Sequence, residues 1–378
     1  VAKPHLHEID LIRAITMLGV LSVHTLSIYL SGLDDGSAPF LSIAMLHFSL
    51  KFTREAFMFI TGLVLFINYY HREFHLAAFW KKQFLLIGFP YIGWATLDVL
   101  GRDSVANSFH LSPQVAHDIV HTILVGKPFF LYYILVTIQL YVIFPVLLWG
   151  LRRWERWHLH IVLASLILQL LCMAFYDLWL PHIDTSGWPN LLARLAARKA
   201  TFILTYQFWF IAGGVLACHY QSVLRFIDQH RRALWYWAAA FVPIIWGQYL
   251  FNRYVLGQSH GQAEAVEQPM MVLYVIVIVC ALWYTGVLWA RRRQSGAHPR
   301  FNHLVLLASN ASFGIYLCQS IPLYFAENSI EAIHLPDWLY LASIPVAIAF
   351  VYGLAMLISY TLGRIPGVCY LVGRRAPA

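Results

Sequence analysis

The sequence predicts an all-α, polytopic integral membrane protein of about ten transmembrane helices, with both termini on the inner side. Three observations predict it. Of 378 residues, 60% are hydrophobic and only 12% are charged, against about 25% charged in soluble domains. The apolar residues come in blocks of about twenty, the length that crosses a bilayer core. Basic residues collect in alternate loops between those blocks.

Spans are expected near 9–30, 42–69, 79–100, 129–150, 158–180, 201–219, 233–252, 268–290, 304–325 and 339–362. They fill most of the chain, so residues 1–378 read as a single transmembrane domain, multi-pass in the cell membrane. With the N-terminus inside, seventeen of the 26 Lys and Arg residues fall in inner segments, from Lys3 through Arg72, Lys81 and Lys82 to Arg375. Six fall outside: Arg102, Lys127, Arg194, Arg198, Lys199 and Arg253. The remaining three, Arg13, Lys51 and Arg54, lie inside spans. This split follows the positive-inside rule and sets an N-in, C-in topology.

The net charge of +8 is therefore read as topology, and no nucleic-acid partner is expected. The five cysteines lie in or beside apolar segments with no CxxC pair. They read as small hydrophobes, with neither a disulfide framework nor a metal site. No cleavable signal peptide is expected: Lys3, Glu8 and Asp10 precede the first apolar block, and no small-residue cleavage motif follows it. Between spans, residues 113–124 predict a short amphipathic helix at the outer interface. His117 and His121 stand at i, i+4 there, with no carboxylate or Cys at a matching spacing, which favours a solvated face over a metal site.

Ionisable residues inside spans are costly and point to function. Arg13 and His24 are eleven residues apart in the first span. On a helix that spacing puts them on one face, about 16 Å apart along the axis. Arg13 reads either as an anchor that snorkels to the inner surface or as the inner end of a polar track leading to His24. In the second span, Glu55 falls at a depth near that of His24. It reads either as half of a structural Arg54–Glu55 pair or as the carboxylate that orients His24. Arg72, Lys81 and Lys82 at the inner surface satisfy the positive-inside rule and also offer a cradle for phosphates. Gln139, Gln207, Asn310, Ser312 and Gln319 are polar residues in spans, expected chiefly as interhelical hydrogen bonds.

These residues carry a family resemblance. The first-span stretch IDLIRAITMLGVLSVHT resembles the signature of the acyltransferase family 3 membrane enzymes: an Arg, ten intervening residues and a His, here Arg13 and His24, with Asp10 three before the Arg. FMFITGLVLF resembles the family's aromatic second-span motif, ending at Thr61-Gly62. Residues 80–91 are similar to the basic-then-proline opening of its third span. SNASFGIYLCQS resembles a late motif, with Phe313 standing for a Tyr and Gln319 for a His. The likeness extends over essentially the whole chain. It is nearest to stand-alone members that modify cell-wall or exopolysaccharide sugars, including the poly-N-acetylglucosamine-linked succinyltransferase type, so a fused C-terminal esterase-like domain is not expected.

The resemblance implies O-acyl transfer across the membrane. The donor would be cytoplasmic acyl-CoA, acetyl-CoA or succinyl-CoA, and the acceptor a hydroxyl of an extracytoplasmic glycan. It implies His24, Glu55 and Arg13 as catalytic residues and Arg13, Arg54, Arg72, Lys81 and Lys82 as the donor-binding set, with no metal. His24 acts either as general base or as an acylated intermediate. The competing readings are a transporter or exporter of a polysaccharide or small molecule, which would also use intramembrane charges, and a non-catalytic sensor. Release of CoA thiol separates the enzyme from both.

Overall fold

An apolar run of this length folds as a helix because a bilayer core holds no water to satisfy a backbone left open. The computed structural model describes residues 6–107, 113–126, 130–184, 199–332 and 336–374. It is 86% helical, with no strand among the described residues. The helices are α1 (His7–Ser31), α2 (Ala38–Leu50), α3 (Thr53–Tyr69), α4 (Leu76–Gln83), α5 (Phe89–Asn107), α6 (Pro113–Val125), α7 (Tyr132–Arg153) and α8 (His158–Ala174). They continue as α9 (Gln207–Cys218), α10 (Tyr220–Gln229), α11 (Arg231–Tyr254), α12 (Pro269–Gln294), α13 (Pro299–Cys318), α14 (Ser320–Ala332) and α15 (Asp337–Leu362). Lys3, Lys127, Arg194, Arg198 and Arg375, which entered the charge count, lie outside the described residues, as does most of the expected loop at 181–200.

Helices occupy all ten expected positions, but among the described residues only seven are singly long and apolar enough to cross a bilayer, or eight if one bent pair counts as a span. The shortfall has identifiable causes. The expected span at 42–69 is broken at Lys51 and Phe52 into α2 and α3. The span at 201–219 is the short α9, followed by α10 at 95°. The segment at 233–252 is a 24-residue helix, α11, that starts on Arg231 and Arg232 and carries Arg253 in its last turn. The third position, by contrast, counts as one of the seven, Leu76–Arg102: α4 runs on into α5 through a π-helical turn at Phe84–Gly88, just ahead of Pro90, whose ring nitrogen has no proton to donate.

The central element is α1, which packs against α2, α3, α12, α13 and α15 and buries sixteen of its 25 residues. By contrast, α8 exposes Leu163, Ile167 and Leu171, a stripe at four-residue spacing that suits contact with lipid. The closest packing is of α3 on α9. A Cβ on Gly213 would stand 2.8 Å from the Leu63 amide nitrogen and closer still to the Phe59 carbonyl oxygen, and one on Gly62 would run into the Phe210 carbonyl. Glycine at both positions lets the two backbones touch, as small residues do between membrane helices.

The break between α2 and α3 is satisfied by its neighbours. Tyr274 on α12 donates its hydroxyl to the Ser49 carbonyl at 2.7 Å, and the Trp246 indole donates to the Ser49 hydroxyl at 3.2 Å. Broken backbone at membrane depth is tolerated where protein covers it or where it lines a cavity. Here both apply.

Candidate functional site

One face of α1 is built from Val20, Val23, His24 and Ser27, the i, i+3, i+4, i+7 spacing of a helix stripe. All four line a cavity of about 320 Å³. The break in the second span supplies the opposite wall: His47 near the end of α2, Lys51 at the break, and Thr53, Arg54 and Phe57 on α3. Phe130, Tyr132 and Tyr133 at the start of α7, Tyr316 on α13, and Glu264 and Val266 from the loop between α11 and α12 complete it.

His24 packs against Phe130, with ring centroids 3.7 Å apart and the ring planes tilted by 39°. Among the described residues its ring makes no hydrogen bond. His47, which is almost wholly buried, is held on both sides. Its Nδ1 lies 2.7 Å from Glu264 Oε2, and its Nε2 lies 3.0 Å from Ser27 Oγ. Lys51 takes the other carboxylate oxygen, Nζ to Oε1 at 2.9 Å, and donates to the Glu264 backbone carbonyl at 3.1 Å. His260 Nε2 approaches the carboxylate at 3.6 Å. Burial alone would raise the Glu264 carboxyl, but the hydrogen bond from His47 and the charge of Lys51 outweigh it and hold the group at about 2. Glu264 is therefore ionised at neutral pH.

Arg54 forms a second charge cluster. It donates to Glu55 Oε1 from Nε at 3.2 Å and from Nη2 at 3.0 Å, and reaches Glu267 Oε1 at 3.4 Å. Lys199 faces the same Glu267 at 3.9 Å, and the Arg54 guanidinium lies 5.2 Å from the centre of the Tyr206 ring.

Of the residues expected from sequence, the cavity brings together His24 and Arg54. Glu55 is paired with Arg54, is not in the cavity wall and makes no hydrogen bond to His24. Arg13 is half-buried on α1, away from the wall, with the Asp10 carboxylate and Tyr141 hydroxyl as electrostatic neighbours. Arg72, ahead of α4, and Lys81 and Lys82, in its last turn, are exposed and do not line the cavity. Gln207 bonds across to Ser165 on α8 and Gln139 to the Thr201 carbonyl, both interhelical links. Gln319 is buried with no partner for its amide oxygen or nitrogen among the described residues. His117 and His121 stack on the surface of α6 with centroids 6.2 Å apart. Among the described residues no group of three or more His, Cys, Asp or Glu is arranged to hold a metal.

Sequence reasoning did not reach Ser27, His47 and Glu264. His47 was legible as an ionisable residue inside an apolar run, and Ser27 as the next position along the His24 face. Glu264 had no such signal, because it lies in a loop and only the fold brings it to His47.

A family model described as an acyltransferase domain matches residues 6–362, nearly the whole chain. The chain belongs to this family. No curated protein and no solved structure matches it. It is a multi-pass membrane acyltransferase, and such an enzyme needs an acyl donor, an acceptor and a group to move a proton between them. The cavity offers imidazoles for the last of these at His24 and His47.

Proposed function

We propose that this acyltransferase moves an acetyl or succinyl group from cytoplasmic acyl-CoA to a hydroxyl of an extracytoplasmic glycan, and that the reaction takes place in the cavity at His24. The observation that carries this reading is the His24 ring. It packs against the tilted Phe130 ring at 3.7 Å between centroids and lines the cavity with both nitrogens unbonded by the described residues. An imidazole in that state can take a proton from an incoming hydroxyl or accept the acyl group itself. The cavity volume, about 320 Å³, is at the lower end of the range for small-molecule sites, about 300–1,000 Å³, enough for an acyl thioester end and one sugar hydroxyl.

The other residues take roles by distance from His24. Arg13, about 16 Å inward on the same helix face, is within the reach of a pantetheine arm and holds the donor. Glu55 serves the site through Arg54, whose guanidinium it fixes at the cavity wall. The exposed cations Arg72, Lys81 and Lys82 receive the donor's phosphates.

The test is release of CoA thiol by the full chain in nanodiscs, offered acetyl-CoA and then succinyl-CoA, beside His24→Ala. Loss of a general base lowers the rate by about 10²–10⁴-fold, so the variant should be near background while eluting as a folded protein. Wild-type turnover in His24→Ala removes His24 from the mechanism. Neither thiol release nor saturable binding of either acyl-CoA by the wild type removes acyl-CoA as donor.

A further inference from the structure

Ser27, His47 and Glu264 come from three separate parts of the chain, α1, α2 and the loop before α12, yet they join in one line. Ser27 Oγ is 3.0 Å from His47 Nε2, and His47 Nδ1 is 2.7 Å from Glu264 Oε2. All three line the cavity that holds His24. We propose that they form a hydroxyl–imidazole–carboxylate relay in which Ser27 is a covalent acyl carrier beside His24. This inference rests on the acyl-transfer reading of the cavity.

Proton accounting supports the direction of the relay. The ionised Glu264 carboxylate can only accept, so Nδ1 of His47 carries the proton between them. In the neutral imidazole Nε2 is then an acceptor, and Ser27 must be the donor to it. The Ser27 hydroxyl has a second acceptor within reach, the Val23 carbonyl one turn back at 3.1 Å. That carbonyl belongs to the helix backbone, so turning the hydroxyl to His47 costs it little. Lys51 on Oε1 keeps Oε2 aimed at His47. A hydroxyl donating to a base that a carboxylate orients is the arrangement that activates a serine nucleophile, and it is recognised by geometry, not by order in the chain.

In the first step Ser27 Oγ attacks the thioester carbonyl carbon. The Oγ–C bond forms, the C–S bond breaks, and the Ser27 proton passes through His47 Nε2 to the leaving thiolate. In the second step the acceptor hydroxyl gives its proton to His24 and attacks the same carbon. The new C–O bond forms, the C–Oγ bond breaks, and the Ser27 oxygen takes the proton back from His24. No oxidant, reductant or further reactant is needed.

The test uses the full-length protein in nanodiscs with two independent readouts. The first is labelling by a fluorophosphonate probe, mapped by peptide mass spectrometry, which reports an activated serine whatever the natural donor is. The second is thiol release from acetyl-CoA and succinyl-CoA. The relay predicts probe adduct on Ser27, lost in Ser27→Ala and His47→Gln and weakened in Glu264→Gln. It also predicts thiol release lowered about 100-fold or more in Ser27→Ala, with thermal unfolding of Ser27→Ala and Ser27→Thr near wild type to exclude misfolding. No adduct on Ser27, together with wild-type turnover in Ser27→Ala, overturns the relay and leaves the His24 reading standing. An adduct on Ser27, with neither thiol release nor saturable binding of either acyl-CoA, upholds the relay and overturns acyl-CoA as the donor.

Discussion

Replacing Glu264 by Gln keeps the shape of the side chain and removes the charge that faces His47, Lys51 and His260. Glu264 has a folded-state value of about 2 against an ordinary 4.5. At about 1.36 kcal/mol per unit, that difference amounts to roughly 3 kcal/mol of stability. The general cost of removing one partner from a buried ion pair, about 3–5 kcal/mol, agrees with it. The carboxyl is depressed in the fold, so its contribution is fully present above pH 4.5 and is lost as the pH falls from 4.5 toward 2. Thermal unfolding midpoints in detergent, for wild type and Glu264→Gln, should therefore be well separated at pH 7. The gap should narrow steadily between pH 4.5 and 2, as the wild type loses what the variant never had. Equal midpoints at pH 7, or a gap that does not change with acid, would refute the account of Glu264 as the charge that holds this wall of the cavity together.

Two further predictions follow from geometry and charge. Gly213→Ala should lower the unfolding midpoint, because the added carbon meets the Phe59 and Leu63 backbone and overpacking costs about 1–3 kcal/mol; Gly247→Ala, with nothing within 4 Å, should gain about 0.5–1 kcal/mol, and equal behaviour of the two would discard the close approach of α3 and α9. Neutralising Lys81 and Lys82 together should weaken acyl-CoA binding roughly 2- to 30-fold, at about 0.2–1 kcal/mol for each exposed ion pair, measured by titration in nanodiscs; unchanged affinity would leave these lysines with a topological role alone.

The sequence carried the fold class through pattern alone, because a bilayer imposes length and apolarity on any helix that crosses it. It carried His24 and Arg54 because ionisable residues stand out in an apolar run. Interruptions were harder to see. Lys51 and Phe52 are not helix breakers by type, and the groups that meet the break, Glu264 on Lys51 and Tyr274 on the Ser49 carbonyl, come from distant parts of the chain. The pairing of Glu55 was a choice between Arg54 and His24. Adjacency on one helix turn favoured Arg54, with two charge-assisted hydrogen bonds, and no feature of the sequence showed that a more distant glutamate, Glu264, would bond the cavity's His47.

Among the described residues the ion pairs around the cavity balance. Lys51 faces Glu264, while Arg54 and Lys199 face Glu55 and Glu267, three cations against three carboxylates. A centre that binds phosphate would carry surplus positive charge, as phosphate sites in proteins do. A centre that brings a thioester carbonyl to a hydroxyl handles neutral groups on both sides and gains nothing from a net field in the ground state. What it needs is a base held neutral and aimed, and donors placed where negative charge develops. That balance supports the proposed division, in which the cavity takes the reacting end of the donor and its phosphates bind elsewhere, at exposed cations. Arg72, Lys81 and Lys82 are exposed cations of that kind, and in the proposed reaction α1 carries a cation for the donor at Arg13 and, three turns on, an imidazole at His24 that no described residue bonds.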